Sequence, residues 1–296
     1  MARSRNPKSS RSNRCRRAFR ALLLTTAVSV VAPVFAAQDE VQARVLRVCQ
    51  DPGNLPFSNE AGEGFENRIA ALMAQRMGLP LETYWYPQRM NVVRNTIRYK
   101  LPGQSDYRCD LLTGVPAEWG QVSATRPYYR STYVLIYAKD SGLNVDSGEE
   151  FLALGNERLA RLKIGIFDRT PATMWLKKHD LLGQAVPYRM MNADPNFYPG
   201  RIVDHDLVNG KIDIAVIWGP IGGYFAQRVK ERELVVIPLK SEPGVRFDYP
   251  IAMGVRHGEP KWRERIQSVI DGANADIDSI LRDYGVPLVS EDGAPL

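Results

Sequence analysis

Short apolar runs alternate along the chain with longer stretches in which apolar residues recur every three or four positions. The short runs predict strands, and the longer stretches predict helices with one buried face. The predicted strands are 45–49, 81–86, 109–115, 132–137, 162–167, 185–190, 212–218, 234–239 and 250–255. The predicted helices are 64–77, 92–99, 172–182, 201–208, 222–230 and 261–284. Such alternation is typical of mainly parallel sheets flanked by helices, so the predicted fold class is α/β.

Two polar segments that contain glycine, residues 138–142 and 240–244, divide this pattern into two predicted domains. The strand and the helix that follow the second segment would pack back on the first domain. Residues 44–138 and 245–296 then form a discontinuous first domain, and residues 139–244 form an inserted second one. Because α/β proteins bind ligands at the carboxyl ends of their strands and between domains, we expect a central cleft.

Residues 1–36 have the features of a cleavable secretory signal peptide. A basic region runs to Arg20, an apolar stretch of 11 residues follows, and small residues close the segment at Ala36 and Ala37. The apolar stretch is too short to span a membrane, which takes about 20 residues. We expect periplasmic export by the general secretory (Sec) route, with a twin-arginine (Tat) route at Arg16-Arg17 as the alternative.

Most of the net positive charge belongs to that segment. The whole sequence has 39 basic and 33 acidic residues, a formal charge of +6. Without the eight basic residues of the predicted leader, 31 basic residues remain against 33 acidic ones, and the charge becomes −2. Affinity for nucleic acid depends on clustered Lys and Arg, so this balance argues against a nucleic-acid partner.

Two cysteines, Cys49 and Cys109, remain after removal of the predicted leader, which contains Cys15. In an oxidising compartment an isolated pair is most often a disulfide. Both residues lie in predicted strands, and a bridge is geometrically feasible if these strands are neighbours; two buried free thiols are the alternative. Two cysteines alone make a poor metal site, because closed zinc sites take four ligands.

The chain lacks the sequence signatures of common hydrolases and metalloenzymes. There is no Gly-x-Ser-x-Gly motif, and His179, His205 and His257 lie far apart without metal-binding spacing. We therefore predict no metal and no cofactor. Glu66 and Glu118 are the candidates for a cleft carboxylate in general acid–base catalysis, and a lone carboxylate gives weak support for an enzyme.

Several segments together resemble those of one protein family. They are 46–59, 62–67, 86–89, 108–110 with 114–116, 125–133, 217–225, 240–247 and 284–288. The long first segment and the run Pro127-Tyr128-Tyr129-Arg130-Ser131-Thr132-Tyr133 are unusual together. On these residues, over about 44–288, the chain resembles the solute-binding-protein-like accessory proteins of quinoprotein alcohol dehydrogenases, the MxaJ/XoxJ type. The insertion at residues 100–107 resembles the lanthanide-associated XoxJ branch.

The resemblance implies a two-domain periplasmic binding protein (type II) fold with a central cleft. It also implies secretion together with a PQQ-dependent alcohol (methanol) dehydrogenase and its cytochrome c, and a role in the maturation or activity of that dehydrogenase. It does not imply that this chain binds the quinone cofactor itself. The expected partners are thus the dehydrogenase and the cytochrome, and the chain is not expected to span a membrane.

The two charged groups that hold an amino acid in common binders of this fold have no counterpart in the sequence. Residues 114–119 contain no arginine to bind a carboxylate, and Trp218 stands where an aspartate would bind the ammonium group. Because a desolvated charge needs an oppositely charged partner, an amino-acid ligand is not expected.

Bulky apolar residues are predicted to surround the cleft instead. The predicted cleft residues are Asp51, Asn54, Phe57, Glu66, Pro116, Arg126, Tyr128, Tyr129, Thr170, Trp218 and Tyr224, with Phe65 and Trp119 beside them. Such a surface suits an apolar ligand or a protein partner. The alternatives are that the aromatic residues belong to the domain cores, that Thr170 caps a helix rather than opening an anion site, and that Arg126 pairs with a nearby acid.

The sequence thus favours a periplasmic accessory protein, not an enzyme, that binds the dehydrogenase or an immature form of it through an open aromatic cleft. The first alternative is a substrate-binding receptor of an ABC transporter for a small ligand other than an amino acid. The second is a dehydratase-like enzyme. The residues that line the cleft distinguish these three hypotheses.

Overall fold

The computed structural model describes residues 45–88, 91–189 and 198–296 of the chain. The predicted signal peptide, residues 1–36, and the end of the predicted strand 185–190 lie outside the described residues. Within the described ranges, no helix has both the length and the apolar character needed to cross a membrane.

Runs rich in β-branched and aromatic side chains form the strands. They are β1 (Leu46–Gln50), β2 (Gly53–Asn54), β3 (Ser58–Asn59), β4 (Leu81–Trp85), β5 (Leu111–Pro116), β6 (Ser123–Ala124), β7 (Tyr129–Ala138), β8 (Ile164–Phe167), β9 (Ala185–Tyr188), β10 (Ile214–Trp218), β11 (Leu234–Pro238) and β12 (Asp248–Val255). The α-helices are α1 (Phe65–Met77), α2 (Val92–Asn95), α3 (Gly148–Leu152), α4 (Asn156–Leu159), α5 (Pro171–Lys178), α6 (Gly219–Ala226), α7 (Pro260–Asp271) and α8 (Asn274–Asp283). Two 3-10 turns, Lys139–Ser141 and Leu182–Gln184, and a π-helical segment, Ile202–Leu207, complete the described elements.

Ten of the described strands join in one sheet that is parallel towards both ends and antiparallel at its centre. The order is β4-β1-β5-β12-β7-β10-β8-β9, with β6 on β12 and β11 on β7. β1 pairs in parallel with β4 and β5, and β8 does so with β9 and β10. The α/β class is as predicted, while β7 and β12 enter the sheet as antiparallel strands because they connect its two halves.

The strand β7 belongs to both halves of the sheet. Its residues Tyr129–Thr132 pair with β12, and residues 133–138 pair with β10 and β11. All but one of its ten residues are buried, as is typical of a strand covered on both faces. The predicted domain boundary at residue 138 coincides with the end of this strand, and the boundaries themselves remain a prediction.

The helix α1 positions the carboxyl group discussed below. Phe65, Ile69 and Met73 are buried at a spacing of four residues, so one face of the helix packs in the core. The helix ends at Gly78, whose left-handed conformation (φ 66°) closes the last turn. Glu66 lies in the first turn and is directed inward with that face.

The predicted helix over 261–284 is two helices in the structure. α7 ends at Asp271 and α8 begins at Asn274. Gly272 lies at the break, and glycine inside a helix costs about 1 kcal/mol relative to alanine. The chain therefore turns where continued helix would be least favourable.

The predicted helix over 92–99 is shortened to the four residues of α2. The hydroxyl of Thr96 donates a hydrogen bond of 2.5 Å to the carbonyl of Val92. A side-chain bond of this kind competes with the helical backbone pattern, and the helix ends at Asn95.

The predicted disulfide between Cys49 and Cys109 is confirmed. Cys49 lies in β1 and Cys109 lies just before β5, and these two strands are parallel neighbours. The Cα atoms are 5.7 Å apart, and both residues are buried. The bridge therefore closes a loop of 60 residues within the first half of the sheet.

Candidate functional site

Glu66 lies against β5, near the strand ends where α/β proteins usually bind ligands. Its side chain is buried, and the Thr113 hydroxyl donates a hydrogen bond of 2.6 Å to Oε2. Gly114 adopts a φ of 64°, and a Cβ atom there would lie 1.9 Å from Glu66 Oε1. Glycine thus permits both this backbone conformation and the close approach of the carboxyl group.

Burial changes the acidity of this cluster. It raises the pKa of Glu66 to about 7, against the opposing hydrogen bond from Thr113 and with a smaller rise from the negative charge of Asp51. Burial also raises the pKa of Tyr128 and of Tyr129 well above the usual value, and Glu66 adds to both shifts. Near neutral pH the buried carboxyl group is therefore partly protonated, while both phenols keep their protons.

Several of the predicted cleft aromatics belong to the core cluster that contains Phe65, the residue before Glu66. Ring centroids are 4.9 Å apart for Tyr128 and Tyr129, and 6.3 Å apart for Phe65 and Tyr129. Tyr224 stacks on Tyr284 at 5.7 Å, and Phe57 contacts Phe65 at 5.3 Å. Phe65, Tyr128, Tyr129 and Tyr224 are each at most 8% exposed. The structure places these four rings in the core, which is the alternative left open from the sequence, while Phe57 is partly exposed.

An open pocket of about 540 Å³ lies between the start of α5 and the segment that leads into β12. Its lining residues are Arg169, Thr170, Pro171, Thr173, Met174, Gly244, Val245, Arg246 and Tyr249. We call it the front pocket. Met174 is 53% exposed, and the two arginines add cationic groups to walls that contain apolar side chains and two threonines. The pocket therefore combines apolar contact area with hydrogen-bond donors.

The start of α5 forms one wall of the front pocket. Pro171 occupies the first turn of the helix, where its missing amide hydrogen is tolerated. The Thr170 hydroxyl donates to the carbonyl of Phe167 at 2.8 Å and makes no capping bond to the helix. Arg169 adopts the left-handed conformation, with a φ of 60°. Of the predicted cleft residues, Thr170 lines the pocket directly.

Arg246 connects the front pocket with the loop that follows β5. It donates hydrogen bonds of 2.9 and 3.3 Å to the carboxylate of Glu118, and these bonds lower the pKa of Glu118. Its Cζ lies 5.0 Å from the ring centroid of Tyr249. The ring centroids of Trp218 and Tyr249 are 5.8 Å apart, so Trp218 contacts a lining residue without lining the pocket itself.

Two further predicted cleft residues organise the loop after β1. Asp51 accepts hydrogen bonds from the amide of Gly53 at 3.0 Å and from the amide of Gln88 at 2.6 Å. Asn54 pairs with Ser58 in the short β2–β3 ladder. Both residues are partly buried and lie outside the lining of the front pocket.

The remaining two predicted cleft residues lie on the surface. Pro116 is the exposed last residue of β5. Arg126 pairs with Asp271 of α7 at 2.6 Å, which is the alternative left open for it. The structure thus brings neither of them into the front pocket.

Met174, Arg246 and Tyr249 line the front pocket and are not among the cleft residues predicted from the sequence. Arg246 lies in a segment that carried the family resemblance, and Tyr249 follows it by three residues. Arg246 and Tyr249 follow the second crossover between the predicted domains, and this position was the available signal for them, because such crossovers border the cleft of a two-domain protein.

Among the described residues, no group of three His, Cys, Asp or Glu side chains has the geometry to hold a metal ion. Asp206 is buried and accepts hydrogen bonds from Tyr188 at 2.6 Å and from Lys211 at 3.1 Å, with His205 at 2.9 Å. This cluster has the arrangement of a structural polar network, since each carboxylate oxygen has a partner.

The chain is similar to known proteins over most of its length. The periplasmic binding protein XoxJ from Methylobacterium extorquens AM1 is 35% identical, and the alignment covers 83% of this chain and 100% of that one with a TM-score of 0.65. Protein MoxJ of Methylorubrum extorquens is 27% identical over 94% of this chain and 97% of its own length. MxaJ from Methlophaga aminisulfidivorans MPT, 23% identical, shares the fold with a TM-score of 0.69 over 83% of this chain and 100% of that one. No family model matches the chain.

The resemblance and the fold class predicted from the sequence are thereby confirmed. The solved relatives are periplasmic binding proteins or share their fold, and the mixed sheet with flanking helices agrees with a two-domain type II architecture. The identity to XoxJ extends over the whole of that structure. The chain therefore belongs to the MxaJ/XoxJ family of periplasmic binding proteins.

Proposed function

We propose that this chain is a periplasmic accessory protein of a PQQ-dependent alcohol (methanol) dehydrogenase system and binds the dehydrogenase, or an immature form of it, as a protein partner. Membership of the MxaJ/XoxJ family supports this proposal. The cytochrome c of the same system is a further candidate partner. The features predicted for residues 1–36 support periplasmic export, by the Sec route first and the Tat route as the alternative.

The observation that carries the proposal is that the chain's own side chains are buried near the strand ends, where α/β proteins usually bind small ligands. Glu66 lies against Gly114 at β5, and the buried rings of Tyr128 and Tyr129 pack beside it. Receptors for small molecules need a concave site that buries most of the ligand. The burial of these side chains supports recognition of a partner at the outer surface.

The front pocket supplies a surface of the required kind. Tyr, Met and Arg are enriched at protein interfaces, and buried aromatic anchors dominate their binding energy. A loop of the dehydrogenase that enters the pocket would contact Met174 and Tyr249. Arg169 and Arg246 would donate hydrogen bonds to its carbonyl or carboxylate groups.

We propose no catalytic step for this protein. A buried carboxyl group with a raised pKa, such as that of Glu66, is common in catalytic sites. The lining of the front pocket includes no carboxylate and no histidine among the described residues, and Glu118 is held by Arg246. The hydrogen bond from Thr113 and the close approach to Gly114 explain the buried carboxyl group of Glu66 by the packing of α1 on β5.

The proposal is tested with two matched variants at exposed apolar residues of the same half of the molecule. Met174 lines the front pocket and is 53% exposed, whereas Leu182 lies outside its lining and is 48% exposed. We expect Met174→Asp to weaken binding of the purified dehydrogenase by about tenfold or more, as loss of a contact worth about 1.4 kcal/mol would. Biolayer interferometry with the mature chain measures the dissociation constants.

The control Leu182→Asp introduces the same charge at a comparable exposure and should bind like the wild type. Equal weakening by both variants would assign the effect to charge or folding rather than to the pocket. Unchanged binding of Met174→Asp, with both variants folded, would mean that the front pocket is not the contact.

A second candidate function is a transport receptor for a small anionic ligand. The observation that favours it is the pair Arg169 and Arg246 in a pocket of about 540 Å³ at the start of a helix. A ligand that binds only the folded state raises the melting temperature. A rise of many degrees with one member of a panel of small carboxylates and phosphates would support this candidate.

A further inference from the structure

Residues 91–108, which we call the basic segment, concentrate positive charge on a chain whose predicted mature form is net negative. The segment contains the basic residues Arg94, Arg98, Lys100 and Arg108 and one acidic residue, Asp106. Arg94, Arg98 and Lys100 are exposed. Asp106 lies 3.5 Å from Arg47, so its charge is offset by a cation outside the segment. The segment therefore presents mainly cations to solvent.

The basic segment has a defined fold, with α2 followed by a hairpin. Lys100 and Tyr107 form an antiparallel bridge, and the Arg108 amide donates to the Tyr99 carbonyl at 3.0 Å. The guanidinium of buried Arg256 donates to the carbonyls flanking the hairpin, those of Ile97 at 3.1 Å and Cys109 at 2.6 Å. The disulfide then fixes Cys109 to β1. A surface held in this way loses little conformational freedom on binding.

Tyrosine rings contact two of the four cationic side chains of the segment. The guanidinium of Arg108 lies between two rings, with Cζ 4.5 Å from the centroid of Tyr84 and 4.3 Å from that of Tyr99. Lys100 Nζ lies 4.9 Å from the ring centroid of Tyr107. Such cation–π contacts favour one arrangement of otherwise flexible side chains. Arginine and tyrosine are also the residues that most often dominate protein interfaces.

The loop at residues 117–122 makes contacts with both the basic segment and the front pocket. At one end of this loop, Glu118 accepts hydrogen bonds from Arg246 of the pocket. At the other end, the carbonyl of Gln121 accepts a hydrogen bond of 2.7 Å from Arg98. A single partner that enters the pocket can therefore also cover the basic segment.

We infer that the basic segment is a docking surface for an acidic face of the dehydrogenase, an inference that rests on the proposed function. Its cations attract the acidic face at long range, and the front pocket supplies the contacts made at short range. Charge complementarity of this kind acts mainly on the association rate and on its dependence on salt.

The test reverses charge at two exposed residues that make no ion pair among the described side chains, in the variant Arg94→Glu/Lys100→Glu. The matched control is Lys163→Glu/Lys230→Glu, which makes the same change in net charge on the predicted inserted domain, at exposed residues outside the front pocket. Stopped-flow mixing with the purified dehydrogenase gives association rates at about 10 mM and about 150 mM salt, where the Debye lengths are about 30 and 8 Å.

We expect Arg94→Glu/Lys100→Glu to associate about tenfold or more slowly at the lower salt concentration and to lose most of the salt dependence. The control should stay within about twofold of the wild type at both concentrations. Thermal melts of both variants establish that they are folded.

Equal slowing by the two variants, or no slowing by either, would overturn the inference. The proposed function would still stand in that case, because it requires only that the wild type binds the dehydrogenase. If the wild type does not bind the dehydrogenase, the proposed function and the inference both fail. Vesicles of phosphatidylglycerol form a second arm. Loss of vesicle binding with unchanged association to the dehydrogenase would identify an anionic lipid surface as the occupant and would also overturn the inference.

Discussion

At the residue scale, the carboxyl group of Glu66 carries the most unusual chemistry in the molecule. The amphipathic pattern of residues 64–77 predicts the helix and the inward direction of Phe65 and Ile69. It does not predict that Glu66 is buried with them, because charged residues are rarely buried without an ionic partner. The space for the carboxyl group comes from Gly114, a residue 48 positions away that only the folded chain brings close. Pair relations of this kind cannot be obtained from local patterning.

The raised pKa of Glu66 predicts a stability that depends on pH. Because the pKa is about 7 in the folded state and 4.5 in an unperturbed chain, ionisation opposes folding. Below about pH 4.5 the carboxyl group is protonated in both states and does not lower the free energy of unfolding. As the pH rises, its ionisation lowers the free energy of unfolding, by about 3 kcal/mol above pH 7. Glu66→Gln, which still accepts the bond from Thr113, should therefore be more stable than the wild type by up to about 3 kcal/mol at about pH 8.

Urea unfolding at about pH 4.5 and about pH 8 measures this difference. The two proteins should unfold alike at the lower pH, and the exposed variant Glu82→Gln should follow the wild type throughout. A stability gain for Glu66→Gln that is the same at both values would contradict a buried, titrating carboxyl group.

At the element scale, the positions of the strands along the chain were predicted well from the sequence, whereas their parallel or antiparallel pairing was not. Each predicted strand has a counterpart in the described residues, because short apolar runs bounded by polar turns have few other folded forms. The antiparallel placement of β7 and β12 depends on how the chain returns between the two halves, which is a long-range property. The sequence pattern predicts one helix over 261–284, and the only local sign of the break between α7 and α8 is Gly272, a residue with low helix propensity.

The disulfide between Cys49 and Cys109 should contribute measurably to the thermal stability of the protein. In the chain-entropy account, a loop of 60 residues gives a stabilisation of about 4 kcal/mol. Cys49→Ala/Cys109→Ala should therefore melt roughly 8–16 °C below the wild type, at about 2–4 °C per kcal/mol for a protein of this size. Differential scanning calorimetry measures the change, and the wild type with reductant should approach the variant. A decrease in melting temperature of less than about 3 °C corresponds to less than about 2 kcal/mol, and it would mean that the bridge contributes little to stability.

At the scale of the whole molecule, the sequence predicted the family and the fold class, and it predicted the functional surface only in part. Aromatic residues near strand ends were expected around an open cleft, yet Tyr128 and Tyr129 are buried with Glu66. Sequence alone does not distinguish an aromatic residue that lines a cleft from one that fills it, since both lie beside the same strands. The front pocket is lined by residues of 169–174 and 244–249, which are at least 70 positions apart in the sequence and meet only in the folded chain.

The central claim is that this binding-protein fold recognises a protein partner rather than a small polar metabolite. Sedimentation velocity of the mature chain mixed with its purified dehydrogenase tests this claim most directly. The account predicts a discrete species heavier than either component, whose amount saturates as the chain is added. Separate sedimentation of the two proteins at all concentrations, together with a chain that carries a bound polar metabolite, would contradict it.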